Sequence, residues 1–122
     1  MTKIQYFLYT LSNAFNFSGR ASFDEFISFV VIYLFWGLFS FVFNLFFSFS
    51  YIELNLGLIG IIIYFSYLAF ICYCLIALIS LLIRRVHDTG KGFIYVFIPF
   101  YNFFLLMQDG EKNENKFGKI PV

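Results

Sequence analysis

The sequence predicts an all-α integral membrane protein. Its expected parts are an N-terminal interfacial amphipathic helix, an antiparallel two-helix transmembrane hairpin, a third Pro-kinked or re-entrant membrane helix, and a polar C-terminal tail. Three observations carry this. Apolar residues make up 61% of the 122 and charged residues only 12%, against the 45–50% and about 25% of soluble domains. Two long stretches, Phe26–Phe49 and Leu56–Ile83, hold no charge at all. Polar and charged residues collect in a few short blocks between them. A soluble fold this small cannot hide so much apolar surface, whereas a bilayer solvates it. A net charge of +1 argues against nucleic acid, which calls for a clustered basic excess.

The chain reads as one membrane domain over 1–122. In residues 3–16, Ile4, Phe7, Leu8, Leu11 and Phe15 recur at helical spacing, with polar residues largely elsewhere. That pattern predicts a short helix lying in the membrane interface. Lys3 precedes an apolar patch, but Gln5, Thr10, Ser12 and Asn13 interrupt it, and no small-residue cleavage site follows. The segment is therefore expected to be retained.

The first membrane helix is expected over 22–49. Ser22 with Glu25 three residues on has capping-box spacing, and Asp24 and Glu25 suit the positive end of a helix dipole. The 24 uncharged residues Phe26–Phe49 span about 36 Å, enough for a hydrocarbon core of about 30 Å. Gly37, Ser40, Asn44 and Ser48 form a small and polar stripe suited to a neighbouring helix. Ser48–Asn55 reads as a hairpin turn. The second membrane helix, 56–84, carries its own stripe of Ser66, Ala69, Tyr73, Ala77, Ser80 and Arg84. Continued by four, that line reaches Asp88.

Phe93–Met107 is 15 residues with Pro99 and Asn102 inside. One straight helix there reaches about 22 Å, short of a comfortable span, and Pro99 removes a backbone donor. It is expected either to span with a kink or to re-enter; simplicity favours a span. The tail, 108–122, is polar with alternating charge and is expected to be an irregular surface segment. All eight Lys and Arg lie in the N-terminal region, in the cluster Arg84–Lys91 or in the tail, and none in the Ser48–Asn55 turn. The positive-inside rule places the N-terminal region and the cluster in the cytoplasm. The tail falls outside if the third segment spans, and inside if it re-enters.

The chemistry concentrates in "RRVHDTGKG". Arg84 and Arg85 favour a helix C-terminus, Asp88 can pair with either at helical spacing, and Gly90 is a helix stop. His87 is the one histidine. The candidate binding residues are Arg20, Arg84, Arg85, His87, Asp88 and Lys91, with Asp24, Glu25 and Ser22 supporting them. Guanidinium forks suit phosphate, so their expected partners are anionic lipid headgroups, an acidic segment of a membrane protein partner, or a second copy of the chain. The alternative is a proton-coupled transporter or membrane enzyme using His87. His87 and Asp88 diverge by about 100° on a helix, and no nucleophile or metal-ligand spacing supports that alternative. No catalytic residue, metal ligand or cofactor is assigned. Cys72 and Cys74, two apart on a helix, cannot share a metal, and read as ordinary small hydrophobes.

Three blocks, "FSGRASFDEF", "RRVHDTGKGF" and "NENKFGKIP", resemble the YhaH/YhaI-like family of small bacterial inner-membrane proteins with a domain of unknown function. The resemblance covers residues 15–121. It implies a multi-pass bacterial inner-membrane location and no activity. Phe23 stands where the family usually has Arg, and Phe93-Ile94 where it has paired Trp.

Overall fold

The structure is a computed structural model describing residues 1–46 and 49–121, with residues 49–56 as backbone only. It is helical, with no named strand among the described residues. α1 covers Lys3–Ser12, α2 Phe23–Phe46, α3 Phe49–Asp88 and α4 Tyr101–Met107, and a 3-10 turn over Phe93–Phe97 precedes α4. α2 and α3, the latter from Gly57 to Asp88, are long and apolar enough to cross a membrane by length and composition.

α1 begins with a capping box. The Thr2 hydroxyl accepts from the Gln5 amide at 3.3 Å, and the Gln5 side chain accepts from the Thr2 amide at 2.8 Å. It stops four residues short of the expected end. The Asn13 side chain donates to the Tyr9 carbonyl at 2.9 Å, and Asn16 accepts from the Ser18 hydroxyl at 2.8 Å. Such local side-chain bonds compete with helix continuation. α1 also packs on the rest of the fold. Phe7 and Leu11 pack on the core, and Phe7 stacks on Phe29 of α2 at 5.2 Å, while Ile4 and Leu8 stay exposed.

α2 starts where the sequence indicates, with the Ser22 hydroxyl accepting from the Glu25 amide at 3.2 Å. The reciprocal half of the capping box does not form, because the Glu25 carboxylate is drawn to Thr10 and Arg84. α2 and α3 are antiparallel. The start of α2 meets the end of α3 through Glu25 and Arg84, and Trp36 meets Phe70 further along at 5.9 Å. The turn expected over Ser48–Asn55 falls partly on 47–48, outside the described residues. Its remainder is helical as far as Gly57, whose backbone (φ 55, ψ −138) interrupts α3. Only glycine adopts that conformation readily.

The buried core sits at one end of the hairpin, around Ala21, Phe29, Ala77, Leu81, Val86 and Leu105. The small-residue stripes are buried accordingly. Ala77, Ser80 and Arg84 are buried and Tyr73 is half-buried, but Ser66 and Ala69 are exposed. Of the stripe on α2 only Ser40 is buried among the described residues, and Ser48 lies outside them. Gly37 has open space where a side chain would project, and Asn44 donates to Ser40 of its own helix at 2.8 Å. The stripes therefore do not form a continuous helix–helix seam; packing concentrates where polar side chains and α1 also meet.

The single Pro-kinked third helix does not form. The chain breaks between Phe97 and Tyr101, and α4 has seven residues, about 10 Å of helix, far too short to span. Pro99 and a left-handed Phe100 (φ 65) make the break. Asn102 then ties its two sides, donating to the Val96 carbonyl at 2.9 Å. Both pieces pack on α3, and the tail returns to the end of α3 where the segment began.

Candidate functional site

α3 ends in a Schellman motif. The Lys91 amide donates to the Val86 carbonyl at 3.4 Å and the Gly90 amide to the His87 carbonyl at 3.0 Å, with Gly90 at φ 73. This pairing needs a left-handed residue after the helix. It leaves Arg84, Arg85, His87 and Asp88 on the last turn, facing the segment before α2 and the tail.

Asp88 is the hub. Its Oδ1 accepts from Arg20 Nε at 2.8 Å and its Oδ2 from Arg85 Nη1. Every nitrogen of both guanidiniums is engaged. Arg20 Nη1 donates to the Asn113 carbonyl at 2.7 Å and lies 3.4 Å from that of Gly118, and its Nη2 donates to the Glu111 carbonyl. Arg85 Nε donates to the Leu106 carbonyl at 3.2 Å and Nη2 to that of Gln108. Arg85, 1% exposed, also lies over the Phe23 ring at 5.4 Å. Two buried cations share one carboxylate, and the balance of their hydrogen bonding comes from backbone carbonyls of 106–118. The tail is thus tied to the helix ends by its main chain.

A second pair lies deeper. Arg84, 2% exposed, places Nη2 3.0 Å from Glu25 Oε1, and Thr10 donates to that same oxygen at 2.8 Å. The Arg84 contact is an ion pair by distance but not an aligned hydrogen bond; Nε and Nη2 both lack one. The Arg84 carbonyl accepts from the Ala21 amide at 3.1 Å, joining the two helix ends through main chain as well. Tyr73 donates to the Leu11 carbonyl at 2.6 Å, and Ser80 to that of Asn16 at 2.5 Å, which holds α1 and its exit loop on α3.

His87 is fixed rather than poised. Its Nδ1 lies 3.2 Å from the Gly19 carbonyl, which can only accept, so Nδ1 carries the proton there. Its ring stacks on Phe117 at 3.8 Å and 2°. The carboxylate of Asp88, its neighbour in sequence, is taken by the two arginines. Phe117 is set by a tight turn: the Asn115 amide donates to the Gly118 carbonyl at 3.2 Å, and the Phe117 amide to the Asn115 side chain at 2.9 Å. Asn115 also donates to the His87 carbonyl at 3.0 Å.

Five of the six candidate binding residues therefore converge, together with Glu25 and the capping Ser22. Lys91 does not join them: it is exposed, with Nζ 5.9 Å from the Tyr95 ring. Asp24 is exposed and makes no ion pair among the described residues. The expectation of guanidinium forks on lipid phosphate meets a different geometry, since Arg20, Arg84 and Arg85 are buried and the donors of Arg20 and Arg85 are taken by Asp88 and by main-chain carbonyls of 106–118. The sequence reading missed Thr10, Asn115, Phe117 and Gly110. A side chain at Gly110 would overlap the Asp88 carboxylate, so glycine there permits the tail's close approach.

A protein-family profile described as "Protein of unknown function (DUF805)" matches residues 14–119. No curated protein and no solved structure matches the chain.

Proposed function

Because the chain belongs to the DUF805 family of unknown function, membership assigns no activity, and we propose from its geometry a non-catalytic membrane binding and assembly module. It is a YhaH/YhaI-like, multi-pass protein of the bacterial inner membrane. The α2–α3 hairpin lies in lipid, and the polar cluster forms a clasp on the cytoplasmic face.

One observation carries this reading: polar and apolar groups are segregated along the hairpin. Large exposed apolar side chains run from Val31 to Phe46 and from Leu58 to Ile79, while the buried ions gather at one end. A monomer in water does not leave so continuous an apolar surface open. Orientation follows from charge. The tail packs on the cluster, so Arg20, Arg84, Arg85, Lys91, Lys112, Lys116 and Lys119, seven of the eight Lys and Arg, belong to the clasp end, as expected for a cytoplasmic face.

The arginines hold this platform together, and its outward cations are lysines. Lys91, Lys112, Lys116 and Lys119 are exposed and are the groups offered to anionic headgroups, to an acidic segment of a partner, or to a second copy. Topology reporters at Glu53, at Lys91 and after Val122 test the reading. Lys91 and the C-terminus should report the cytoplasm and Glu53 the opposite side. The same compartment at all three sites would contradict it.

A further inference from the structure

The segment between the clasp and the tail has a shape that its sequence composition did not specify. Both its ends are held at the cluster: Lys91 by the Schellman bond to Val86, and Leu106 and Gln108 by their carbonyls on Arg85. Between these anchors the chain runs out through the 3-10 turn, reverses at Pro99-Phe100 and runs back through α4. Asn102 bridges the two arms. The inner side of the arms is packed, with Leu105 and Leu106 buried and Val96 against the core. The outer side is apolar and open: Phe93, Ile94, Phe97, Ile98, Phe103 and Phe104 are all exposed. At the reversal stands Phe100, 91% exposed, in a left-handed conformation unusual for an aromatic residue.

We propose that residues 93–107 form a wedge that enters the acyl chains of the leaflet next to the clasp and returns without crossing, with Phe100 at its tip. This rests on the membrane reading above. Five residues of 3-10 helix out and seven of α-helix back reach about 10 Å each, roughly a third of the hydrocarbon core. The occupant of the apolar face is lipid because that face continues the exposed apolar surface of α3, on which both arms pack. The flanks fit a bilayer boundary as well. Lys91 over Tyr95 on one side, and Gln108 and Asp109 on the other, are the polar and amphipathic residues of a headgroup level. A soluble loop has no use for an exposed aromatic tip between two apolar arms; a leaflet-inserted one does.

The chain has one tryptophan, Trp36, in the middle of α2, which makes a direct test available. The full-length protein is reconstituted in vesicles whose lipids carry bromine near the headgroup end, the middle or the tip of the acyl chain. Two proteins are compared: the native chain, and Trp36→Phe combined with Phe100→Trp. The tip side chain makes so little contact that Phe100→Trp should fold normally. Native Trp36 should be quenched most by bromine at the chain tips, which reports the hairpin in the bilayer independently of the wedge. Trp at position 100 should be quenched most by bromine at the middle of the chain, since a reach of about 10 Å is two-thirds of a leaflet about 15 Å deep, and should lose sensitivity to aqueous iodide. Quenching of Trp36 alone, with position 100 open to iodide, would overturn the wedge and leave the membrane reading standing. Maximal quenching of position 100 at the chain tips would overturn it in favour of a deep segment. Shielding from both quenchers would overturn it in favour of cover by a second copy. Absence of quenching at Trp36 would remove the membrane reading on which the wedge rests.

Discussion

Replacing Asp88 with Asn removes the carboxylate from a site that already holds more positive than negative charge. Among the buried groups Arg20, Arg84 and Arg85 face Glu25 and Asp88, three cations to two anions, and the exposed Asp109 acts on Arg85 from the tail. Asp88→Asn leaves three to one. The Arg20–Asp88 contact is 2.8 Å, between side chains 1% and 5% exposed, so solvent screens it little. Two unit charges about 4 Å apart interact by about 4 kcal/mol at an effective dielectric of 20, and desolvation offsets part of that. Removing one partner of a buried pair typically costs about 3–5 kcal/mol because the other charge stays behind. Asn keeps one acceptor for Arg20, which points to the lower end, about 3 kcal/mol. The exposed Lys91→Gln should change stability by less than about 1 kcal/mol. Unfolding in mixed micelles, followed by Trp36 fluorescence, gives both values. Arg20→Gln combined with Asp88→Asn should cost less than the sum of the single changes. A loss under about 0.5 kcal/mol for Asp88→Asn, or strict additivity in the double variant, would refute the hub assignment.

Glycine substitutions should rank by what they meet. Gly110→Ala drives a methyl group into an Asp88 carboxylate that two arginines hold in place, and should release the tail with a loss near that of Asp88→Asn. Gly90→Ala meets the movable end of Glu111 but must adopt φ 73, a strain of about 1–2 kcal/mol. Gly37→Ala, in mid-helix with open space around it, should stabilise by up to about 1 kcal/mol. The same micelle assay and the rate of tail cleavage by added protease check this order. Glu25→Lys should destabilise by about 3–5 kcal/mol, and adding Arg84→Glu should recover part of that loss, measured as a double-variant cycle.

The sequence made the two long helices and the gathering of the cluster legible, for physical reasons. Runs without charge define the two helices long and apolar enough to cross a membrane. Ser22 and Gly90 carry the start of α2 and the end of α3 in side-chain and backbone chemistry that is local. A hairpin with those two ends together must bring Glu25 near Arg84. The small-residue stripes were legible only near the cluster, because whether a small residue faces protein depends on how far two helices stay in contact. Glu25 broke its capping box since its carboxylate is held by the Arg84 guanidinium and the Thr10 hydroxyl instead of the Ser22 amide. The tail's part was hidden for a deeper reason. Arg20 and Arg85 are held by main-chain carbonyls, which every residue has and no motif marks. The only sequence signals were Gly110, where the tail passes Asp88, and Asn115–Gly118, whose turn sets Phe117 on His87.

The central claim is that the arginine cluster is a closed clasp binding the tail to the helix ends. Hydrogen exchange of the full-length protein in lipid nanodiscs tests it most directly. The Glu111 amide donates to the Asp88 carbonyl at 2.9 Å and the Ala21 amide to the Arg84 carbonyl at 3.1 Å, so both belong to the clasp. Both amides should exchange slowly in the native protein, and Asp88→Asn should speed them together. Free exchange at Glu111 in the native protein, with Ala21 still protected, would contradict the account: the tail would then be a loose segment and the arginines open to other anions.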